Sequence, residues 1–368
     1  MAVQSKKKRW RLWAAAMAAM VMVAGVGVVS VAEAQNRGRA AAKKAPPAPP
    51  PPPPIRTGPV FSAPPGVEPL SFAVQTYAMF HADLGNLRGV PMRNAQELDT
   101  ALDKVAAYNP YHLSRGLLAY GALTAAQSEP FANTVRNMAT FFGREKVIEG
   151  LILGEDYART LPGADDAERL IAAAFAADGN RVIRVSEEYR SNAEAAQRAR
   201  WGGLITSGMA RRAGALRALA DGAPMRSVSP ELTPRLAPAA ASANPRLDPN
   251  TFGGASFWET WRQAPTAGIA ASTPPAVQPT PPQGREKDTN TMLRLAALYI
   301  LDATKDPATP VGEFLSKDQT TDRCFDMAQV QLQQCVSAAR FHYETAFCLA
   351  EQGLQNVGEC VREGRQIQ

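Results

Sequence analysis

Apolar residues in this chain recur at intervals of three and four over long stretches, and sustained one-by-one alternation is missing. Asn94-x-x-Glu97 reads as a capping box, and it opens a segment that places Leu98, Leu102 and Val105 on one helical face. Tyr111 to Ala126 is a second helical stretch, ending before Pro130. Phe131 to Phe142 and Glu145 to Leu153 follow, with Gly143 and Gly154 as stops. Asp165 to Ala177, Arg181 to Arg200 and Leu204 to Ala220 complete a helical body over residues 70–222. The expected fold class is all-α, as a helix bundle or an irregular α-solenoid, and no repeat of 30–45 residues supports a regular array.

A second helical region covers residues 286–362. Met292 to Leu301 is a compact apolar helix with Leu293, Ala296, Ala297 and Ile300 on its buried face, too short to cross a membrane. Further on, Cys324, Ala328, Leu332 and Cys335 fall on one helical face, as the first arm of a helical hairpin would require. The second arm is less regular because Gly353 and Gly358 interrupt it, and the implied turn near Phe341 and His342 holds no Gly or Pro. Met292 to Leu301 is expected to pack on this hairpin, which has little apolar area of its own.

All four cysteines lie in that hairpin, and geometry chooses among their three pairings. In an antiparallel helical pair, facing residues have a nearly constant sum of residue numbers. Cys324–Cys360 and Cys335–Cys348 sum to 684 and 683, whereas the crossed pairs sum to 672 and 695. Neighbour pairing would need Cys324 and Cys335 to meet along one helix, where eleven residues separate them by about 16 Å, beyond the span of a disulfide. The expectation is a nested pair. The spacing is similar to the twin Cx9C helical hairpins, with ten and eleven intervening residues here, and the similarity is one of geometry alone. Zinc is not expected, since no short Cys-Cys pair is present.

Between and before the helical regions the pattern fades. Residues 35–69 are Pro-rich, with eight prolines from Ala45 to Pro54, and read as a stiff extended spacer. Residues 223–285 are rich in Pro, Ala and Ser and read as a disordered linker. That second linker contains Phe257, Trp258 and Trp261, three aromatics too large to leave in water. Either they dock on the protein's own helices or they anchor a partner.

The amino terminus changes the setting. Lys6, Lys7, Lys8, Arg9 and Arg11 precede an apolar run from Leu12 to Val31, and Ala32-Glu33-Ala34 supplies a small-x-small site. Residues 1–34 therefore read as an export signal or, because the apolar run is long, as an uncleaved inner-membrane anchor through residues 12–31. Without residues 1–34 the formal charge falls from +6 to +2, and no cationic stripe interleaved with aromatics remains to suggest nucleic acid. No Cys precedes Cys324, so a lipoprotein is not expected. The expected location is the periplasm, soluble or anchored, where disulfides persist.

Candidate chemistry is sparse. The three histidines, His81, His112 and His342, have no second His or Cys at ligand spacing, and His81 reads as a satisfied core residue. H-E-x-x-H, G-x-S-x-G and P-loop motifs are absent, and no cofactor or metal is expected. Glu129, Glu155 and Asp156 are the carboxylates to weigh for glycan cleavage, and each suits the first turn of a helix equally well. Two functions stand against each other: a non-catalytic envelope scaffold, adaptor or assembly component bound to an envelope or peptidoglycan-associated partner, or a divergent peptidoglycan-active enzyme.

Overall fold

The computed structural model describes residues 58, 61–236, 252–262, 285–317 and 320–364. Residues 1–34 and most of the Pro-rich tract lie outside them, as do residues 237–251 and 263–284. Among the described residues the fold is all-α, and the one extended pairing is a single antiparallel bridge between Ile205 and Phe341.

Local chemistry starts most of the early helices. Helix α1 (Pro69–Leu87) has Pro at its first position, and the Glu68 carboxylate accepts from Leu70 N and Ser71 N. Helix α2 (Ala95–Ala106) opens as expected on Asn94, whose Oδ1 accepts from Glu97 N at 2.9 Å. The reciprocal bond to Glu97 comes from Arg93 N, one residue before the cap. Helix α3 (Pro110–Ala125), capped by Asn109, is apolar nearly all round and accordingly buried along its length. Ser128 caps α4 (Glu129–Phe142), and α5 (Arg144–Leu153) follows a left-handed Gly143.

Helix α6 (Ala164–Arg198) departs from expectation. Asp178-Gly179-Asn180 reads as a break between two helices, yet 35 residues run through without one, about 50 Å of helix. Tertiary packing overrides the local signal. A Cβ on Gly179 would lie 2.7 Å from the Gly358 carbonyl oxygen, and one on Gly358 would lie 3.0 Å from that of Gly179. The two glycines let backbones meet where α6 crosses the last helix. Helix α7 (Met209–Asp221) starts later than its apolar pattern implies, because the residues just before it lie alongside the hairpin turn, where Ile205 pairs with Phe341.

The short α8 (Phe257–Thr260) carries the aromatic segment, and α9 (Glu286–Ile300) and α10 (Val311–Ser316) lead to the hairpin. Its first arm is α11 (Thr320–Ala338), and its second is α12 (His342–Cys348), a π-helical turn Leu349–Gln355 and α13 (Asn356–Glu363). Cys324 is bonded to Cys360 and Cys335 to Cys348, each with Cα atoms 5.6 Å apart. The turn needs no Gly because other groups hold it. Glu344 accepts from Arg340 N and Phe341 N, and Arg340 O accepts from Thr206 N at 2.8 Å.

The packing of α9 corrects the sequence reading. Its apolar face lies chiefly on α3, and its tie to the hairpin is polar, made at its start by Arg285. The hairpin rests instead on α6, α7 and α3. One apolar core thus runs from Phe61 to Val361 and takes in both helical regions.

Candidate functional site

Residues 252–262 form a strap over the core. Phe257, Trp258 and Trp261 are 4 %, 4 % and 3 % exposed, so these aromatics dock on the protein's own helices and offer no free surface to a partner. The physical reason is the apolar area that three such rings remove from water. The strap comes close to α3, since a Cβ on Gly253 would lie 2.9 Å from Thr124, and Gln127 Nε2 donates to Phe252 O at 3.0 Å. Arg235 donates to Trp261 O at 2.9 Å. At the rim, Glu259 pairs with Arg88 at 3.1 Å and with Arg181 at 3.5 Å.

Beneath the strap lies a buried carboxylate. Asp178, on α6, accepts from Tyr77 OH at 2.8 Å through Oδ2 and from Trp258 Nε1 at 2.9 Å through Oδ1. His81 stands one turn after Tyr77 on α1, with Nε2 3.6 Å from Asp178 Oδ2. The Trp258 indole stacks on the His81 ring, 4.7 Å between centroids and 4° from parallel. Tyr120, on α3, packs against Tyr77 and Trp258. Burial pushes the Asp178 carboxyl up to about 7, against the lowering effect of the Trp258 and Tyr77 hydrogen bonds and of Arg181. Burial, aided by Arg181, holds His81 well below the usual histidine range, so the ring is neutral. The two tyrosines are driven well above their usual range by burial and by Asp178.

His81 is therefore a core residue, as expected, but an unsatisfied one: neither ring nitrogen has a hydrogen-bond partner, and the residue is fully buried. A neutral imidazole carries one donor and one acceptor, and leaving both unmade inside a protein is costly. Taken together, the group can hold a proton on Asp178 near neutrality, accept from an indole N–H, and sandwich an aromatic ring. Sequence reading passed over Asp178, although a signal existed. Ile171, Phe175, Asp178, Val182 and Val185 follow one another at helical spacing, which sets a carboxylate on an apolar face.

The other candidate acids stay apart from this group. Glu129 is an exposed residue in the first turn of α4. Glu155 is exposed and paired with Lys317, whose hydrogen bond and charge lower its pKa, the opposite of what a general acid needs. Asp156 accepts from Asn290. Burial, then Arg115, lowers His112 to about 4, and His342 lies half-buried beside Trp201. No group of three or more His, Cys, Asp or Glu side chains that could hold a metal occurs among the described residues.

A second buried polar cluster ties the hairpin to α9. Arg285 donates to Val361 O at 2.8 Å, Cys360 O at 2.9 Å and Thr321 Oγ1 at 3.1 Å, with Asp288 at 3.8 Å. Asp288 accepts from Thr321 Oγ1 and N. These bonds fasten backbone carbonyls and read as structural. An open cleft of about 370 Å³ lies between residues 61–69 and 304–312, lined by Pro64, Pro65, Pro307 and Val311. No family model, curated protein or solved structure matches the chain.

Proposed function

We propose that the chain is a non-catalytic, exported cell-envelope protein that acts as a scaffold, adaptor or assembly component. On this reading residues 1–34 direct export or anchor the chain, the Pro-rich stretches are spacers, and the described helices form one irregular bundle in the periplasm. No helix among the described residues is long and apolar enough to cross a membrane, and the apolar run Leu12–Val31 lies outside them. The observation that carries the non-catalytic reading is the closure of the polar group at Asp178. The Asp178 carboxyl, held near 7, sits under Trp258 with 1 % of its surface exposed, while Glu129 stands exposed in a helix first turn and Glu155 is paired with Lys317.

The same carboxyl supports a second reading. A raised carboxyl beside a neutral imidazole is a pattern that active sites use, and a peptidoglycan-active enzyme would result if the strap moved aside. Purified full-length protein incubated with peptidoglycan separates the two readings. The scaffold reading expects no soluble fragments from wild type, and an unchanged cellular phenotype for Glu129→Gln and Glu155→Gln. Fragment release that Asp178→Asn abolishes in a folded protein would establish the enzyme instead. Export is tested by a reporter fused after residue 70, expected to be active only outside the cytoplasm, and crosslinking in intact envelopes would identify the partner.

A further inference from the structure

The strap is held like a docked peptide. Its polar anchors are one indole N–H, the backbone carbonyls of Phe252 and Trp261, and the half-exposed Glu259 at the rim. Its apolar anchors are rings that insert between side chains of α1 and α3. The fit is also incomplete in a specific way. Neither His81 nitrogen nor the buried Trp261 indole nitrogen has a hydrogen-bond partner while the strap is in place, although His81 Nε2 lies 3.6 Å from Asp178 Oδ2. An apolar core would have no reason to keep an imidazole there, whereas a binding site for a ligand with further polar groups would.

We propose that the box formed by Tyr77, His81 and Tyr120 over Asp178 is a docking site for a tryptophan-bearing acidic peptide of another protein, which residues 252–262 occupy in cis. The chemistry of the box selects this partner. Asp178 Oδ1 needs an N–H donor on a flat ring, and the His81 face offers a parallel stacking surface 4.7 Å from that ring. Arg88 and Arg181 stand at the rim where Glu259 now pairs, so a carboxylate next to the tryptophan completes the match. A competing peptide gains over the strap wherever it also supplies partners for the His81 nitrogens. Because the strap belongs to the same chain, its effective concentration at the box is on the order of millimolar, and the site is normally closed.

This inference names the partner chemistry for the adaptor reading, but its test uses only purified protein and does not depend on export or on peptidoglycan. The probe is a fluorescein-labelled decapeptide with the sequence of residues 253–262, titrated with full-length protein and followed by anisotropy. Trp258→Ala removes the ring that fills the box, and it should bind the probe at least tenfold more tightly than wild type. A probe with Ala at the position of Trp258 should lose at least tenfold on the same variant. Absence of binding to a folded Trp258→Ala protein, or equal binding of both probes, overturns the proposal. If Trp258→Ala does not fold, Glu259→Gln decides, because it loosens only the exposed rim. It should raise probe binding severalfold over wild type, and no increase there overturns the proposal equally.

Discussion

Two regions of this molecule each bury a carboxylate, and they do so by opposite means. Near the hairpin, Asp288 faces a guanidinium and a threonine, and the surrounding segment is closed by two disulfides. Under the strap, Asp178 accepts from an indole and a phenol, both neutral, and a neutral imidazole stands 3.6 Å away. Burial raises both carboxyls, and Arg285 opposes the shift at Asp288 most strongly. The difference teaches what each region can tolerate. A charge-paired, cross-linked acid marks a place that must not open, whereas an acid met by neutral donors can take up a proton and remain bonded whether its cover is in place or not.

The largest expected effect tests the hairpin side. Arg285→Ala leaves Asp288 buried without its cation, and urea titration should show a loss of about 3–5 kcal/mol. Replacing both residues at once, Arg285→Met with Asp288→Leu, should recover most of that loss. A double replacement no better than the single one would mean that the bonds to Cys360 O and Val361 O carry the stability.

The disulfides come next. Cys324–Cys360 spans 36 residues and Cys335–Cys348 spans 13. By chain entropy their removal as Cys→Ser pairs should cost about 4 and about 3 kcal/mol. Equal costs, or a reversed order, would show that the reduced chain retains hairpin structure.

Trp258→Ala should behave differently. A buried tryptophan in a continuous core loses about 3–5 kcal/mol on truncation, but a strap that lifts as a unit caps the loss at its own docking free energy. The expected result is a smaller shift in the unfolding midpoint, with protease cleavage within residues 252–262 rising at least tenfold. A full-sized shift without new cleavage would make the strap part of the core and erase the contrast between the two regions.

The smallest effect is a change in pH dependence. Asp178 binds its proton more tightly in the folded protein, with a pKa of about 7 against 3.8. Its contribution is therefore complete below about pH 4 and is lost as pH rises to about 7. His81 is shifted down and acts in the opposite sense: its contribution is complete above its usual 6.5 and is lost as pH falls. The two slopes partly cancel in the wild type. Asp178→Asn removes the first, so the variant should lose stability more steeply toward acid and gain relative to wild type above pH 7. Asp288 is present in both proteins and drops out of the comparison. Parallel pH profiles would place the Asp178 carboxyl in its ordinary range.

What the sequence conveyed and what it concealed follow from the range of the interactions. The helix start at Asn94 depends on a group three residues on, and the cysteine register on spacing inside one hairpin, so both can be read locally. The run of α6 through Asp178-Gly179 cannot, because its cause is the backbone of Gly358, far along the chain. The box beneath the strap gathers Tyr77, His81, Tyr120, Asp178 and Trp258 from four separate elements, and only the misplaced polarity of Asp178 on its helix face hints at it. Arg285 was similarly hidden, standing at the edge of a stretch that reads as linker.

The outer disulfide has a mechanical consequence. Load applied near Gly364 and resisted in the body enters the hairpin at Cys360 and crosses directly to Cys324. The residues between them bear none of it, and roughly 120 Å of extended chain is kept out of the line of tension. With both bonds reduced, that length would enter the line of tension as the hairpin unfolded. For a protein under strain, the bond is a redox-controlled limit on how far this end can stretch.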